Sequence, residues 1–209
     1  MVKIREIRTF VRQLCRMADV FINDKERSMV SPNFREIDYR IEPLHDVIVG
    51  LDAGLTVIHK RLDTEEWFDG IWAREYAEPL LGLGFVAAQT YALGTVSDLN
   101  SVRMSRGKPE EKLKEFKIVC YKCDTVVLKE DVTRILLINA SANYFKHHDE
   151  WPRWPTSHDT KTLGKVGITE KTEFPCIGAV ELLCGTSWKL NVLLQILKEW
   201  RAHLFSMLL

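Results

Sequence analysis

The stretch LLGLGFVAAQTYALGTVSDL (residues 80–99) decides how this 209-residue chain folds. Wound as a helix at about 100° per residue, it is apolar on nearly all sides, and such a helix is buried in a protein core. The weakly polar run of residues 79–94 is shorter than the roughly 20 residues of a membrane span, and Gln89 and Thr90 interrupt it. We therefore predict the central buried helix of a soluble helical protein, with no membrane contact.

Helical patterns also occupy the N-terminal part of the chain. Residues 4–18 carry apolar side chains at intervals of three and four, with arginines on the opposite face, which predicts a first helix ending near residue 23. Ser31 and Pro32 then form a helix start. That pattern continues to about residue 62, with an expected kink at Pro43.

Further helices are predicted on both sides of the central one. One starts at residues 63–66, is interrupted by Pro79, and carries an apolar stripe of Trp67, Ile71, Trp72 and Tyr76. A short helix covers residues 177–184, and a longer one runs from Ser187 to the end of the chain. The apolar positions of this last helix repeat at helical spacing: Leu190, Leu193, Leu194, Leu197 and Trp200.

Two segments lack a helical period. Residues 116–128 are strand-like in composition and predict a small β-hairpin. Residues 151–175 contain three prolines and two glycines and predict a long loop, which is usually functional or mobile in a compact domain. Between them, Asp131 caps a helix that ends near Glu150, because the residue before a proline leaves the α region. The expected fold is mainly α, a helical bundle with one small hairpin.

Length and composition limit the function. At 46% apolar residues the chain can build one core, so residues 1–209 are expected to form a single helical domain. Basic and acidic residues both number 29, so no overall field attracts nucleic acid or an anionic membrane. Residues 102–122 carry seven basic and three acidic residues, which suits either a solvated face or a nucleic-acid footprint. The charged N-terminus differs from a secretory signal, and a cytoplasmic protein is expected.

The cysteines favour reduced thiols, because five is an odd number and the chain is long enough to fold without disulfides. Cys120 and Cys123 have the two-residue spacer of a zinc knuckle. Cys176 and Cys184 are too far apart to form a second close pair, so buried thiols are favoured over zinc. No cofactor is expected.

One stretch, NYFKHH (residues 143–148), has the composition of a chemical site. On a helix that starts at Asp131, one sector beside the core stripe holds Asn139, Asn143, Lys146, His147 and Glu150. Asn143 and His147 are four residues apart and can contact one object, with Lys146 beside them. His148 lies about 100° further round and is expected to face solvent.

Leu136 and Ala140 share this sector, so the polar row borders apolar surface and its members need hydrogen-bond partners. One interpretation is a network satisfied by a neighbouring helix or by the loop of residues 151–175, without chemistry. The other is a functional site. The sequence leaves both open.

A helical bundle whose penultimate long helix carries a polar residue, a basic residue and a histidine within a few positions resembles the HEPN superfamily. Many HEPN proteins are metal-independent ribonucleases of toxin–antitoxin and antiviral systems. Their usual motif is an arginine followed, after four to six residues, by a histidine, and Asn143 stands here in the place of that arginine. Arg40 and His45 do have the motif spacing, but Pro43 lies between them, so this pair is ranked second.

The resemblance implies RNA cleavage by attack of the ribose 2′-hydroxyl on the adjacent phosphate. His147 would transfer the proton, Lys146 would stabilise the transition-state charge, and Asn143 would position the phosphate or the histidine. Substrate would also contact Asn139 and two tryptophans, Trp151 and Trp154, which either stack on unpaired bases or fill a groove of their own protein. HEPN proteins commonly pair two such helices across a dimer, so a homodimer is implied.

Two hypotheses follow. The first is a HEPN-like ribonuclease, or an inactive relative, in a defence or toxin–antitoxin setting, with RNA and an antitoxin or regulator as partners. The second is a non-catalytic helical binding or regulatory protein that uses the face of residues 139–150 and the loop of residues 151–175. The absent arginine favours the second hypothesis, and the lysine–histidine pair beside Asn143 favours the first. A metal site built from His147, His148 and His158 with a nearby aspartate is not expected, because adjacent histidines point apart on a helix.

Overall fold

The structure, a computed structural model, describes residues 37–209, of which Asp38–Leu209 form one compact unit. This part of the chain contains seven α-helices and one two-stranded antiparallel sheet. In chain order they are α1 (Ile41–Thr64), α2 (Gly70–Ser105), α3 (Leu113–Lys122), β1 (Val127–Lys129), β2 (Val132–Thr133), α4 (Arg134–His147), α5 (His158–Lys165), α6 (Pro175–Cys184) and α7 (Asn191–Leu208). The mainly α fold is confirmed. The helix predicted over residues 4–23 and the helix start predicted at Ser31 lie outside the described residues.

Helix α2 is the centre of this fold. It is 36 residues long and packs against α1, α3, α4, α6 and α7. Its side chains Leu81, Phe85, Val96 and Leu99 are fully buried, which confirms the predicted central helix. Within the described residues, α2 is also the single continuous helix that is long and apolar enough to cross a bilayer, and more than half of its most apolar stretch is buried inside the protein.

The prediction that Pro79 interrupts the helix is wrong. Asp69 caps α2, its Oδ1 accepting hydrogen bonds from the backbone N–H groups of Ile71 and Trp72 at 2.9 and 3.1 Å. From there the helix continues through Pro79 to Ser105. A proline inside a helix removes a backbone hydrogen bond at a cost of about 3 kcal/mol. Burial of the long apolar stretch that follows offsets this cost, because the continued helix holds all of it against the core.

Glycines of α2 let neighbouring elements approach its backbone. A Cβ added at Gly82 would overlap the ring of Phe145 on α4. A Cβ added at Gly84 would lie 2.9 Å from the side chain of Leu190, just before α7. Both glycines are buried. The close packing of α4 and of the start of α7 therefore requires a residue without a side chain at these positions.

Two helices start on carboxylates that belong to other helices. Asp52 of α1 accepts hydrogen bonds from the backbone N–H groups of residues 190 and 191 at 2.8 and 3.2 Å, at the start of α7. Glu78 of α2 accepts from those of residues 176 and 177 at 2.8 and 2.9 Å, at the start of α6. The first N–H groups of a helix have no partner inside it, so these carboxylates cap the two helices. Burial raises the pKa of Glu78, although the two N–H bonds oppose the shift.

The β-hairpin lies further along the chain than predicted. Most of the segment expected to form it, residues 116–128, belongs to helix α3, whereas the hairpin consists of β1 and β2 with Glu130 at φ 51° in the turn. Phe116, Cys120 and Tyr121 are buried at helical spacing. Packing of these three side chains against the core thus outweighs the local strand preference of the segment.

The predicted loop of residues 151–175 contains the eight residues of helix α5 and, in Pro175, the first residue of α6, so the loop prediction is wrong for these residues. Ser157 caps α5: its Oγ accepts from the N–H of Thr160 at 3.2 Å, and the Oγ1 of Thr160 accepts from the N–H of Ser157 at 3.0 Å. This is a capping box with threonine in place of the usual glutamate or glutamine. Leu163 and Thr162 of α5 are buried.

Other boundaries differ by smaller amounts. Helix α1 begins at Ile41, so Pro43 lies in its first turn, where the backbone N–H has no partner inside the helix and its absence costs nothing. The kink predicted in the middle of a helix at Pro43 is therefore wrong. Thr133 caps α4 in place of Asp131, its Oγ1 accepting from the N–H of Leu136 at 3.2 Å. The two C-terminal helices are confirmed as α6 and α7.

Gly82→Ala should destabilise the protein, because the added methyl group displaces the ring of Phe145 and overpacking costs about 1–3 kcal/mol. Gly50 on α1 is the matched control. It is exposed, nothing lies within 4 Å of its added Cβ, and Gly50→Ala should stabilise by roughly 1 kcal/mol through helix propensity. Urea unfolding followed by circular dichroism measures both. Equal effects would contradict the close approach of α4 to α2.

The raised pKa of Glu78 predicts a pH-dependent stability. The folded protein holds this proton more tightly than the unfolded chain, so Glu78 favours folding increasingly as the pH falls toward the ordinary carboxyl pKa. Glu78→Gln cannot titrate. The free energy of unfolding of the wild type relative to Glu78→Gln should therefore be larger near pH 5 than near pH 7. Urea unfolding at both values tests this, and a difference of opposite sign would mean that the N–H bonds outweigh burial.

Candidate functional site

Polar side chains of three helices form one network on α4. Gln89 of α2 donates through Nε2 to the Oδ1 atoms of Asn139 and Asn143, both at 2.9 Å. The two asparagines donate through Nδ2 to the two carboxylate oxygens of Asp159 on α5, at 3.1 and 2.9 Å. Lys146 donates to the Oε1 of Gln89 at 2.8 Å. These hydrogen bonds connect α2 through α4 to α5. We call the five residues the amide network.

The helical spacing placed three members of the amide network correctly. Asn139, Asn143 and Lys146 share one face of α4, as predicted, and all three contact Gln89. The network also matches one of the two open interpretations, a polar row satisfied by a neighbouring helix and by the segment of residues 151–175. The side-chain amides of both asparagines are used as donors and as acceptors within the protein.

Sequence reasoning missed the two partners on the other helices. In the sequence, Gln89 stands out only because it interrupts an apolar segment. A glutamine in the middle of a buried helix is itself a signal, because a buried amide needs hydrogen-bond partners. Asp159 had no such signal, since it lay in a predicted loop and its contact with α4 exists only in the tertiary fold.

The two histidines at the end of α4 are arranged differently from the prediction. His147 lies away from the amide network: its side chain is 50% exposed, and its Nδ1 is 3.3 Å from Oε2 of Glu150. His148, expected in solvent, is half-buried and stacks on Tyr144 with ring centroids 4.8 Å apart. The backbone explains the positions of both histidines. His147 has φ −123° and ψ −10°, and a 3-10 turn, His148–Glu150, replaces the predicted last helical turn. The α-helical angle of about 100° per residue does not apply there.

Trp151 and Trp154 belong to an aromatic cluster with Tyr144. The ring centroids of Tyr144 lie 5.9 Å from Trp151 and 5.8 Å from Trp154, and the two indoles are 5.9 Å apart. Such distances are typical of stabilising aromatic pairs. All three rings are half-buried, and burial raises the pKa of Tyr144. The tryptophans thus fill a groove of their own protein, while part of each indole stays accessible.

The second-ranked pair, Arg40 and His45, does not converge on one point. Arg40 donates through Nε and Nη2 to the carboxylate of Asp98 on α2, at 3.0 and 3.3 Å. His45 is 58% exposed, and its Nδ1 lies 3.4 Å from Oδ1 of Asp46. Arg40 thus joins the start of α1 to α2, while His45 lies on the outer surface.

Metal-binding geometry is not found in the part of the chain that the structure describes, where no three histidine, cysteine or acidic side chains are grouped suitably. The four cysteines in this range are free thiols: Cys120, Cys123, Cys176 and Cys184. Burial raises the pKa of Cys120 to about 12 and that of Cys176 well above its ordinary value. These two thiols are therefore protonated at neutral pH and act as small core side chains.

No family model matches this chain, and no curated protein or solved structure is detectably similar to it. The HEPN resemblance therefore stays a prediction, as do the roles assigned to Asn143, Lys146 and His147.

Asp159→Ala should loosen α5. Without the carboxylate, the Nδ2 groups of Asn139 and Asn143 lose their acceptors, and an unsatisfied buried donor costs about 1–3 kcal/mol. We expect a lower free energy of unfolding and faster amide hydrogen exchange in α5. Lys161→Ala, an exposed position of the same helix, is the control. Equal exchange rates in the two variants would show that the amide network does not hold α5.

Proposed function

We propose that this chain is a non-catalytic helical binding protein whose partner surface is the end of α4 with the segment that follows it. The observation that supports this is the amide network, which occupies the polar row of α4 with hydrogen bonds to Gln89 and Asp159. The same row is where an RNA-cleaving site was expected.

Catalysis of phosphate transfer requires donors that are already directed at the position where charge develops. Asn143, the residue expected to hold the phosphate, instead directs its Nδ2 at Asp159, 2.9 Å away. A phosphate at this position would lie beside that carboxylate and be repelled by it. A substrate would therefore have to displace α5 before Asn143 could bind it.

The proposed partner surface consists of residues that remain accessible around the end of α4. Lys146, His147 and Glu150 are exposed, and the indoles of Trp151 and Trp154 are partly so. Tryptophan bordered by charged residues is typical of protein–protein interfaces, where aromatic side chains supply much of the binding energy. Because this surface carries both charge signs, we propose a protein partner.

A HEPN-like ribonuclease is the second candidate. The adjacent, exposed Lys146 and His147 support it, since they place a basic side chain next to a histidine, the side chain that most often serves in general acid–base catalysis. RNA as the partner, a homodimer, a toxin–antitoxin or defence setting and a cytoplasmic location belong to this candidate and stay predictions.

An RNA-cleavage assay separates the two candidates. The wild type, His147→Ala and His45→Ala are incubated with total RNA in EDTA, and the RNA is analysed for fragments that end in 2′,3′-cyclic phosphate. For a non-catalytic protein we expect identical, uncleaved traces. Fragments that are absent only with His147→Ala would favour the ribonuclease and overturn the proposal. His45→Ala tests the second-ranked pair, Arg40 and His45, in the same assay: His45 is a comparably exposed histidine on another helix, and fragments that are absent only with this variant would overturn the proposal too.

Photo-crosslinking at residues 147 and 45 tests the proposed partner surface. A photo-crosslinking amino acid, p-benzoylphenylalanine, is placed at residue 147 or at residue 45, and cells that express each protein are irradiated. A protein adduct at residue 147 that is missing at residue 45 supports the proposed surface. Adducts of the same mass and yield at both positions, or at neither, would contradict it.

A further inference from the structure

A second surface, which contains no residue of α4, lies at the connection between α1 and α2. Trp67, Ile71, Trp72 and Tyr76 are 59%, 61%, 44% and 45% exposed. The sequence predicts these four residues as the apolar stripe of an amphipathic helix, which would face the core, but the structure leaves them open. We call these four residues the aromatic patch. Large apolar side chains grouped on a surface are typical of binding sites.

The rings of the aromatic patch contact one another and the buried ring of Phe68. Trp72 lies 6.4 Å from Trp67 and 6.4 Å from Tyr76 between ring centroids, in edge-to-face arrangements. Phe68, which is 1% exposed, contacts the rings of Trp67 and Tyr76 at 5.6 and 5.5 Å. The exposed rings are therefore ordered on a buried anchor, so a ligand would not have to order them.

A guanidinium group already rests on these rings within the protein. The Cζ of Arg61 lies 4.3 Å from the ring centre of Phe68, 5.2 Å from that of Trp67 and 5.3 Å from that of Tyr76. Arg61 also donates to both carboxylate oxygens of Glu65, at 3.0 and 3.1 Å. The contact combines ring faces with a bidentate carboxylate, which are the two interactions that recognise arginine.

The charge around the aromatic patch is suited to a cation. Residues 60–76 contain five acidic residues and three basic ones. Glu65 pairs with Arg61, and Asp69 caps α2, while Asp63, Glu66 and Glu75 are exposed and lie within four residues of Trp67 or Trp72 in the sequence. Together with the negative faces of the indoles, these carboxylates attract a basic ligand and repel phosphate groups.

We propose that the aromatic patch binds an arginine-containing basic segment of a partner protein. An arginine side chain of the partner stacks on the exposed indole of Trp72 and donates to a neighbouring carboxylate, in the way that Arg61 contacts Phe68 and Glu65. Arginine suits this position better than lysine, because its planar guanidinium stacks and binds carboxylates bidentately. An anionic membrane or RNA is disfavoured, since the surrounding carboxylates repel both. This surface does not depend on the function proposed for α4.

Isothermal titration of the full chain with a capped hexa-arginine peptide tests the proposal, with hexa-glutamate as the control peptide. Hexa-arginine should bind, and the affinity should fall as salt is added. Trp72→Leu keeps an apolar side chain but has no aromatic ring, and should weaken binding about two- to fivefold, the range that an exposed cation–π contact supplies. Glu66→Gln should also weaken binding, whereas Glu110→Gln, an exposed carboxylate in another loop, should not.

Several outcomes would overturn the proposal. The first is that the wild type and Trp72→Leu bind hexa-arginine with equal affinity. The second is that Glu66→Gln and Glu110→Gln lose the same amount of hexa-arginine affinity. The third is that the wild type does not bind hexa-arginine. Circular dichroism of each variant establishes that it is folded. Two further assays of the wild type and Trp72→Leu test other occupants, namely sedimentation for a second copy of the chain and binding to phosphatidylcholine vesicles for a membrane. If Trp72→Leu abolished a dimer but left hexa-arginine affinity unchanged, the patch would be assigned to a second copy. If it abolished vesicle binding in the same way, the patch would be assigned to a membrane.

Discussion

Phe145 packs directly over Gly82, and Arg40 lies in the same way against Gly94, because α2 has no side chain at either glycine. This close approach lets one helix of 36 residues be covered by five others. Where α2 is buried, a polar side chain that cannot reach water needs a hydrogen-bond partner, and Glu78, Gln89 and Asp98 have theirs on neighbouring elements.

The polar residues of α2 fasten its neighbours in place. Glu78 caps α6, Gln89 joins the amide network of α4, and Asp98 holds Arg40 at the start of α1. The candidate site is therefore part of the same internal bonding that stabilises the bundle. This is why we favour binding over catalysis: the side chains that would handle a phosphate are already used to attach α4 to α2 and α5.

The surface of the protein carries two features that the internal network leaves accessible. One is the end of α4 with Trp151 and Trp154, and the other is the aromatic patch around Trp72. Both present aromatic rings beside charged residues, and both lie where a helix ends or begins. In each case the rings are supported by buried or half-buried aromatic neighbours, so they are ordered before any partner arrives.

The sequence by itself determined the helical class, the buried central segment and the common face of Asn139, Asn143 and Lys146, because helical periodicity and apolar content are local properties. It did not determine the position of the hairpin, the presence of α5 or the directions in which the side chains of His147 and Trp72 point. Those depend on contacts between segments distant in sequence, such as Asp159 with α4, and on a local change from α to 3-10 geometry at residue 147. Only the tertiary structure decides them, since burial and hydrogen bonding across the fold outweigh local propensity.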